Sequence, residues 1–376
     1  MENKEVSRAG RVLISRIGWC SVLIAMCLLN MVGSNALAFE IPTKNRDLQI
    51  RWDNTFRYTY NNRVQNQDKN IIANPNSDDG DRNFDTGTVS NRLDILSEFD
   101  LVYKRKHGFR VSAAGWYDNA YKDFDNNSLA TSNHLDSNLQ PSFGLDDDID
   151  DRYRGQDGEI LDAFVFTRFS LGGMPVNIKL GRHTKYWGES LLLGGAINGV
   201  SYGQSPIDVA KGLGIPGVGV KELFRPLNAL TVNVQPHRTL SIEAQYYLEW
   251  EQNLLPQSGT YLGFMDALLE DGESIIVGPG QRFTRAGTIE ADDEGDWGIS
   301  ARWSPEVLDG TVGFYYRNFS DTLPQTHVRP AAIPMPQIPC EGSGFVYLGG
   351  GMCYVNPAAA SFPELGAGKV GDFQNA

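Results

Sequence analysis

The sequence predicts an all-β fold, an antiparallel transmembrane β-barrel of the outer-membrane type with long extracellular loops. Segments in which apolar and polar residues alternate recur along the chain, and several are about ten to twelve residues long. Soluble strands average about five or six residues, whereas a tilted membrane strand needs about nine to eleven. Aromatic residues cluster at segment ends, and short connections alternate with long ones. Both features are typical of outer-membrane barrels.

Residues 1–38 have the composition of a secretory signal peptide. Four basic residues precede an apolar run over residues 17–32, and Ala36-Leu37-Ala38 forms a small-residue cleavage site. We expect cleavage after Ala38, which leaves residues 39–376 as the N-terminal portion of the barrel domain. An uncleaved membrane anchor is the alternative, although the apolar run is short for a span. The signal peptide carries a net charge of +2, so the net charge of −13 becomes about −15 without it, which argues against nucleic acid as a partner.

Nine strands are predicted from the alternation of side chains, which has a period of two in a strand. They cover residues 48–60, 92–103, 109–121, 159–169, 176–184, 228–235, 239–250, 297–304 and 311–319. The long connections then cover residues 61–91, 122–158, 185–227 and 251–296. The ninth strand ends on the outer side, and bacterial single-chain barrels have an even number of strands. We therefore expect a truncated barrel, with residues 320–376 forming a further outer loop.

Charged side chains on the polar faces of these strands are candidates to line a lumen and contact a solute. Mixed acids and bases in a lumen bind the polar groups of a solute. The alternative is that these side chains pair with one another and only solvate the interior. The candidates are Arg51, Asp53, Arg57, Arg92, Asp94, Glu98, Arg110, Asp162, Arg168, Lys179 and Glu243.

The connection over residues 185–226 differs from the other long connections. It is rich in glycine and moderately apolar, which a purely extracellular loop does not require. A loop that folds into the lumen as a constriction or partial plug fits this composition. A loop that packs at the rim of the barrel fits it as well.

Three further features bear on chemistry. Cys340 and Cys353 lie in one Gly/Pro-rich stretch, and after export two nearby cysteines predict a local disulfide, with two free thiols as the alternative. The acidic run over residues 146–151 lacks the spacing of a calcium loop and is expected to be a solvated surface loop, with calcium binding as the alternative. The five histidines are scattered, and no nucleophile elbow, metal-ligand pair or phosphate loop is present. We therefore expect no enzyme activity, cofactor or metal.

A series of short motifs supports a family resemblance. In order, they are Gly181-Arg182, Trp187-Gly188-Glu189-Ser190, Ile197-Asn198, Pro206-Ile207-Asp208, Lys221-Glu222, Leu248-Glu249-Trp250 and Ser258-Gly259-Thr260. The chain thereby resembles, from about Leu48 onward, the proteobacterial outer-membrane family known as domain of unknown function 1302. The resemblance implies a barrel and a hydrophobic or amphipathic solute such as a steroid, terpene or other lipid. It implies no catalytic residues, and members of the family are longer than this chain.

The expected function is that of a channel or transporter in the cell outer membrane, surrounded by lipid and lipopolysaccharide. A periplasmic partner is conceivable but unidentified by the sequence. The main alternative is an adhesive or structural barrel that binds an external partner through its long acidic loops. A membrane-embedded enzyme is the weakest hypothesis, because no nucleophile, base and orienting group can be assembled.

Overall fold

The computed structural model describes residues 37–121, 152–153, 155–188, 199–267, 274–278, 281–330, 345–347, 353–355 and 368–375. Strands dominate this part of the chain. In chain order they are β1 (Leu37–Ile41), β2 (Leu48–Arg63), β3 (Gly87–Tyr103), β4 (His107–Asp118), β5 (Gly155–Leu171), β6 (Met174–His183), β7 (Leu227–His237), β8 (Leu240–Tyr247), β9 (Ile275–Gly278), β10 (Gln281–Thr288), β11 (Trp297–Trp303), β12 (Val312–Asn318), β13 (Thr326–Pro330), β14 (Phe345–Tyr347), β15 (Cys353–Val355) and β16 (Gly368–Asn375). The helices are α1 (Asp79–Arg82), α2 (Val209–Gly214) and α3 (Val220–Leu223), with a 3₁₀ turn at Glu306–Leu308. Of the helices in the described ranges, none is long and apolar enough to cross a membrane.

Ten strands form one antiparallel sheet, in the order β1 to β8 followed by β11 and β12. The connections after β1, β3, β5, β7 and β11 are short, whereas those after β2, β4, β6 and β8 are long. The predicted alternation of short and long connections is therefore confirmed. Within the part of the chain that the structure describes, no pairing joins β1 to β12, so the sheet has two edges.

All nine predicted strands are confirmed, as β2 to β8, β11 and β12. The prediction of about nine strands was one too low for this sheet, because β1 pairs with β2 along its whole length. The segment of β1 is too short for its alternation to be recognised, and it overlaps the predicted cleavage site. Five predicted bounds were wrong by three residues or more: β3 begins at Gly87, β5 begins at Gly155, β2 ends at Arg63, β4 ends at Asp118 and β8 ends at Tyr247.

One row of paired residues shows how the strands are staggered. The row crosses nine strands and contains only aliphatic or aromatic residues, namely Ile41, Ile50, Leu101, Phe109, Val165, Leu180, Leu230, Tyr246 and Trp297. In β2, β3 and β4 its residue is third from the end that carries the short connection. In β5 to β8 it is seventh or eighth from that end. The strands are therefore displaced along one another across the sheet.

A second sheet has the order β13-β16-β10-β9. The pairing of β10 with β16 is parallel, and the other two pairings are antiparallel. Strands β14 and β15 form a separate hairpin. The sequence analysis assigned these regions to connections and missed their strands, because segments such as QRFTRAGT of β10 and GKVGDFQN of β16 show no regular alternation of apolar and polar residues.

A small hydrophobic cluster lies at the ends of β3 and β4 from which the long connections leave the sheet, here called the long-connection ends. Phe84, Val89 and Tyr121 are buried there, and Tyr153 and Tyr261 pack against them. The rings of Phe84 and Tyr121 have centroids 5.7 Å apart, and those of Tyr121 and Tyr153 are 5.4 Å apart. Tyr121 was predicted to end a strand as an exposed interfacial aromatic. This was wrong, because the chain turns after Asp118 and buries the ring in the cluster.

Candidate functional site

The two faces of the ten-stranded sheet differ sharply in polarity and exposure. On the polar face, charged and hydrogen-bonding side chains are buried: Arg92, Asp94, Glu98, Ser112, Asp118, Thr231, Gln245 and Ser300. On the apolar face, large hydrophobic side chains are exposed, including Val165 at 55% and Leu180 at 46%. A soluble protein normally buries the hydrophobic set and exposes the charged set. The polar face must therefore be covered by other parts of the chain.

Part of this cover comes from the connection between β6 and β7. Its residues 199–226, here called the covering segment, contain α2 and α3. The fully buried Asp208 caps α2 by accepting a hydrogen bond from the Lys211 amide at 2.8 Å. Ile207 and Phe224 form an antiparallel bridge, so the segment folds back on itself. The covering segment is therefore held by its own hydrogen bonds.

Two ion pairs join α3 to strands β2 and β3. Arg57 makes a bidentate contact with Glu222, with nitrogen–oxygen distances of 2.6 and 3.2 Å. The side chains are 15% and 8% exposed, respectively. The neighbouring Lys221 pairs with Glu98, which also pairs with Arg110. Bidentate, charge-assisted contacts are among the strongest hydrogen bonds in proteins. The contacts of Glu222 and Lys221 therefore fix α3 against β2 and β3.

Further contacts connect the covering segment to β5, β8 and β12. Lys211 of α2 forms an ion pair with Glu159 of β5. The Tyr247 hydroxyl donates to the carbonyl oxygen of Gln204 at 2.9 Å. Arg317 of β12 donates to backbone carbonyls between residues 200 and 203, two of them at 2.9 and 3.1 Å. The segment therefore contacts strands near both edges of the sheet.

The ion pairs of the covering segment shift the pKa values of two groups outside the strands, Glu222 and Arg152. Burial by itself would raise the pKa of Glu222, but the hydrogen bonds and charge of Arg57 lower it below the ordinary value. Burial by itself would lower the pKa of Arg152, but attraction by Asp208 together with Tyr153, Glu159 and Asp157 raises it above the ordinary value. Both ion pairs therefore remain charged at neutral pH.

Nine of the eleven predicted lumen residues form ion pairs within the described part of the chain. Most of these pairs join strand residues, such as Arg92 with Asp94 at 2.9 Å and Arg110 with Asp162 at 3.0 Å. The others reach the connection that contains the covering segment. Glu243, for example, pairs with its Lys185. The structure therefore brings most of the predicted residues together as a paired network.

Three of the predicted lumen residues lie near the short connections or beside aromatic rings, and Arg51 is the one of these three that also belongs to the nine with ion pairs. Arg51 is exposed and pairs with Asp53 and with Asp100 of β3, each at 3.0 Å. Lys179 lies 4.4 Å from the ring centroid of Phe164. Arg168 is exposed, and its guanidinium carbon lies 5.9 Å from the ring centroid of Phe166. The cation–π contacts of Lys179 and Arg168 orient these cations without neutralising them.

The motif residues at the end of β6 shape the start of the connection. Gly181 has φ +116°, and a Cβ there would meet the carbonyl oxygen of Ala163 at 2.4 Å, so only glycine fits. Arg182 pairs with Glu249 and, at 2.8 Å, with Glu251. The chain is thereby fixed as it leaves the sheet.

The next motif residues continue this support. Trp187 donates its indole N–H to Glu243 and its backbone N–H to Gln204, both at 2.5 Å. Gly188 has φ +69°, and Pro206 is fully buried. Together with Asp208, Lys221 and Glu222, these residues place the covering segment on the polar face. Glu189, Ser190, Asn198, the acidic run at 146–151 and Cys340 lie outside the described residues, and Cys353 is described only as the start of β15.

The sequence missed a cluster of three buried carboxylates. Asp78, Asp79 and Asp266 have oxygen atoms within 4.8 Å of one another, a set that could hold a metal ion. Asp266 accepts a hydrogen bond from the Asp78 amide at 3.1 Å. Lys211 and Arg152 were also missed, because charged residues in long connections show no pattern that reveals their partners.

Comparison with known proteins gives one match. The model of the family described as "Protein of unknown function (DUF1302)" matches residues 19–370. No curated protein matches the chain, and no solved structure does. The family match covers most of the chain and includes every motif in the series from Gly181 to Thr260. This chain therefore belongs to the family of proteins of unknown function DUF1302.

Proposed function

We propose that this protein is a β-barrel of the cell outer membrane that passes hydrophobic or amphipathic solutes, such as steroids, terpenes or lipids. In this proposal the polar face lines a lumen, and the apolar face contacts lipid and lipopolysaccharide. The covering segment lies inside the lumen and narrows it. The family resemblance supports the class of solute.

Three features of the sheet support a membrane barrel. Strands β2, β3 and β5 have 16, 17 and 17 residues, more than the nine to eleven or so that a tilted strand needs to cross a bilayer. The apolar face is exposed, as lipid contact requires. The strands are displaced along one another, as closure of a sheet into a barrel requires. The proposal also requires the edge strands β1 and β12 to be paired in the membrane, because only a closed barrel leaves no strand edge in the bilayer.

The observation that carries the proposal is the set of contacts made by the covering segment. The segment binds β2 through Arg57 and β12 through Arg317, which stand near opposite edges of the ten-stranded sheet. Because the segment folds back on itself at Ile207 and Phe224, its contacts with both strands favour a polar face that curves around it. Barrel interiors that contain a folded loop pass solutes through the space that the loop leaves open.

Solute flux into liposomes that contain the folded protein tests this function. We expect an amphipathic solute such as octanoate to enter faster than glucose. We also expect faster entry when Arg57 and Glu222 are both changed to alanine, because the covering segment then loses its bidentate anchor. The matched control is Arg238→Ala with Glu290→Ala, two exposed residues outside the contacts described above. An inserted barrel that remains sealed to all solutes, with and without the anchor, would refute the channel.

A further inference from the structure

A small cavity lies where α2 covers the long-connection ends of β2, β3 and β4. Its volume is about 60 Å³, and its lining includes Arg92, Trp116, Arg152, Lys211 and Ile215. A single water needs at least about 10–15 Å³ of such space. The cavity can therefore hold a group of a few non-hydrogen atoms, but not a whole lipid-sized molecule.

Three cations surround the indole ring of Trp116. The distances to its ring centroid are 4.8 Å from Arg92, 5.5 Å from Arg152 and 4.5 Å from Lys211. The Trp116 indole N–H donates to the carbonyl oxygen of Arg152 at 2.9 Å. Cations within about 6 Å of an aromatic centroid are attracted to its face. Trp116 therefore gathers three positive groups at one end of the polar face.

Carboxylates behind these cations hold them in place. Arg92 pairs with Asp94, and Arg152 and Lys211 both lie near Asp208. Lys211 also pairs with Glu159. The cavity itself is lined by the three cations and one carboxylate, that of Asp118.

Asp118 is already engaged by hydrogen-bond donors. Its oxygens accept from the Ser90 hydroxyl at 2.8 Å and from the amides of Asn91 and Ala120 at 3.0 and 2.8 Å. The one carboxylate of the lining is therefore satisfied by donors of the protein itself.

Arg92 has donor capacity that the protein leaves unused. Its side chain is 9% exposed, and its Nε donates to Asp94 at 2.9 Å. Its Nη2 is buried and has no hydrogen-bond partner among the described residues. Of the described residues that line the cavity, Arg92 is the one with such an unpartnered buried side-chain atom. Leaving a buried charged donor unsatisfied is costly, so this atom indicates an acceptor supplied by a ligand.

We propose that the cavity binds the oxyanionic end of an amphipathic solute, with Arg92 Nη2 donating to one of its oxygens. The apolar part of the solute would leave the cavity along Leu213, Ile215 and Leu262, which also line it. This inference rests on the proposed function and specifies its substrate class: an amphipathic molecule with a carboxylate or phosphate group. The site lies at the long-connection end of the sheet, where such a solute would be captured before it meets the rest of the covering segment.

Calorimetric titration of the folded protein tests this site with octanoate, octyl phosphate, octan-1-ol and inorganic phosphate as probes. We expect one of the two amphipathic anions to bind at least about tenfold more tightly than octan-1-ol, and the stronger of the two identifies the oxyanion. Changing Arg92 to Gln should weaken binding of that anion about tenfold, as expected for the loss of a hydrogen bond to a charged group. Binding of octan-1-ol should not change.

Two further variants show whether a loss of binding reflects the cavity itself or a folding defect. Ile215→Trp fills the cavity and leaves Arg92 itself unchanged, and it should abolish anion binding. Arg238→Gln removes an exposed positive charge at the short-connection end, and it should bind as the unmodified protein does. Equal binding of octan-1-ol and both anions, unchanged binding by both cavity variants, or binding of inorganic phosphate as strong as that of the anions would overturn the proposal.

The outcome is separable from that of the proposed function. Anion binding in the cavity without solute flux would contradict the channel and retain the site. Solute flux without selective anion binding would retain the channel and overturn the site.

Discussion

The ion pair between Arg57 and Glu222 should control how firmly the covering segment is held on the polar face. We consider Glu222→Gln, which keeps the shape of the side chain but removes its charge. The pair contains two charge-assisted hydrogen bonds, at 2.6 and 3.2 Å, between largely buried groups. Each such bond contributes about 1.5–3 kcal/mol. A glutamine amide can still accept one weaker hydrogen bond. We therefore expect the free energy that holds the covering segment on the polar face to fall by about 2 kcal/mol.

This loss corresponds to a roughly 30-fold larger equilibrium constant for release of the covering segment from the polar face, since about 1.4 kcal/mol is a factor of ten. Single-channel recording in planar bilayers measures the shift as a higher open probability. The charge-swapped variant Arg57→Glu with Glu222→Arg should recover much of the original behaviour, because it restores an ion pair. Glu290→Gln, which makes the same chemical change at an exposed site, should have no effect. Equal open probabilities for Glu222→Gln and Glu290→Gln would refute the reasoning.

Three further predictions address pH, backbone conformation and the apolar face. Because Arg57 lowers the pKa of Glu222, the ion pair contributes fully above the ordinary carboxyl pKa of about 4.3 and is lost as the pH falls through the lowered value. Open probability should therefore rise on acidification below about pH 4, and Glu222→Gln should lack this step. Gly181→Ala should reduce the folded fraction, measured by heat-modifiability on gels, more than Gly172→Ala does. A Cβ at Gly181 would lie 2.4 Å from a backbone oxygen, whereas a Cβ at Gly172 would have no neighbour within 4 Å. A normal yield of the Gly181 variant would contradict this crowding. Leu180→Lys should cost about 2–4 kcal/mol in bilayer refolding if the residue faces lipid. The control Leu308→Lys, in an exposed turn, should cost little, and equal costs would argue against lipid contact.

The long strands could be predicted from the sequence because burial on one face and exposure on the other impose a period of two. Residues 48–60 show this period, and the strand that they form, β2, extends to Arg63. Strand ends were less predictable. Tyr121 and Trp250 continue the apolar pattern beyond β4 and β8, but the chain leaves the sheet before it reaches them. At Tyr121 the apolar pattern continues into the loop because the loop buries this ring in the hydrophobic cluster.

The contacts of the candidate site could be predicted only in part. The polar residues of the strands were identified, because strand geometry assigns them to one face. Their partners in the covering segment were not, since Arg57 and Glu222 are 165 positions apart in sequence. The apolar, glycine-rich composition of residues 185–226 did indicate a loop that folds inward or against the rim. In the structure, residues 199–226 contact Arg57, Tyr247 and Arg317 on the polar face of the sheet.

The cavity beside Trp116 could not be predicted from sequence at all. Its cations come from β3, from α2 and from Arg152 in a long connection, and no spacing relates them. Only the folded arrangement shows that they share one ring and that Arg92 Nη2 lacks a partner among the described residues. Sites of this kind depend on tertiary contacts, which a single sequence does not reveal.

The central claim, a lumen narrowed by the covering segment, is tested most directly by conductance in planar bilayers. The protein should be compared with a variant in which residues 199–226 are replaced by a short Gly/Ser linker. We expect both proteins to insert, the unmodified protein with a small conductance and the variant with a several-fold larger one. An unchanged conductance from a variant that folds and inserts normally would show that the covering segment does not narrow a lumen.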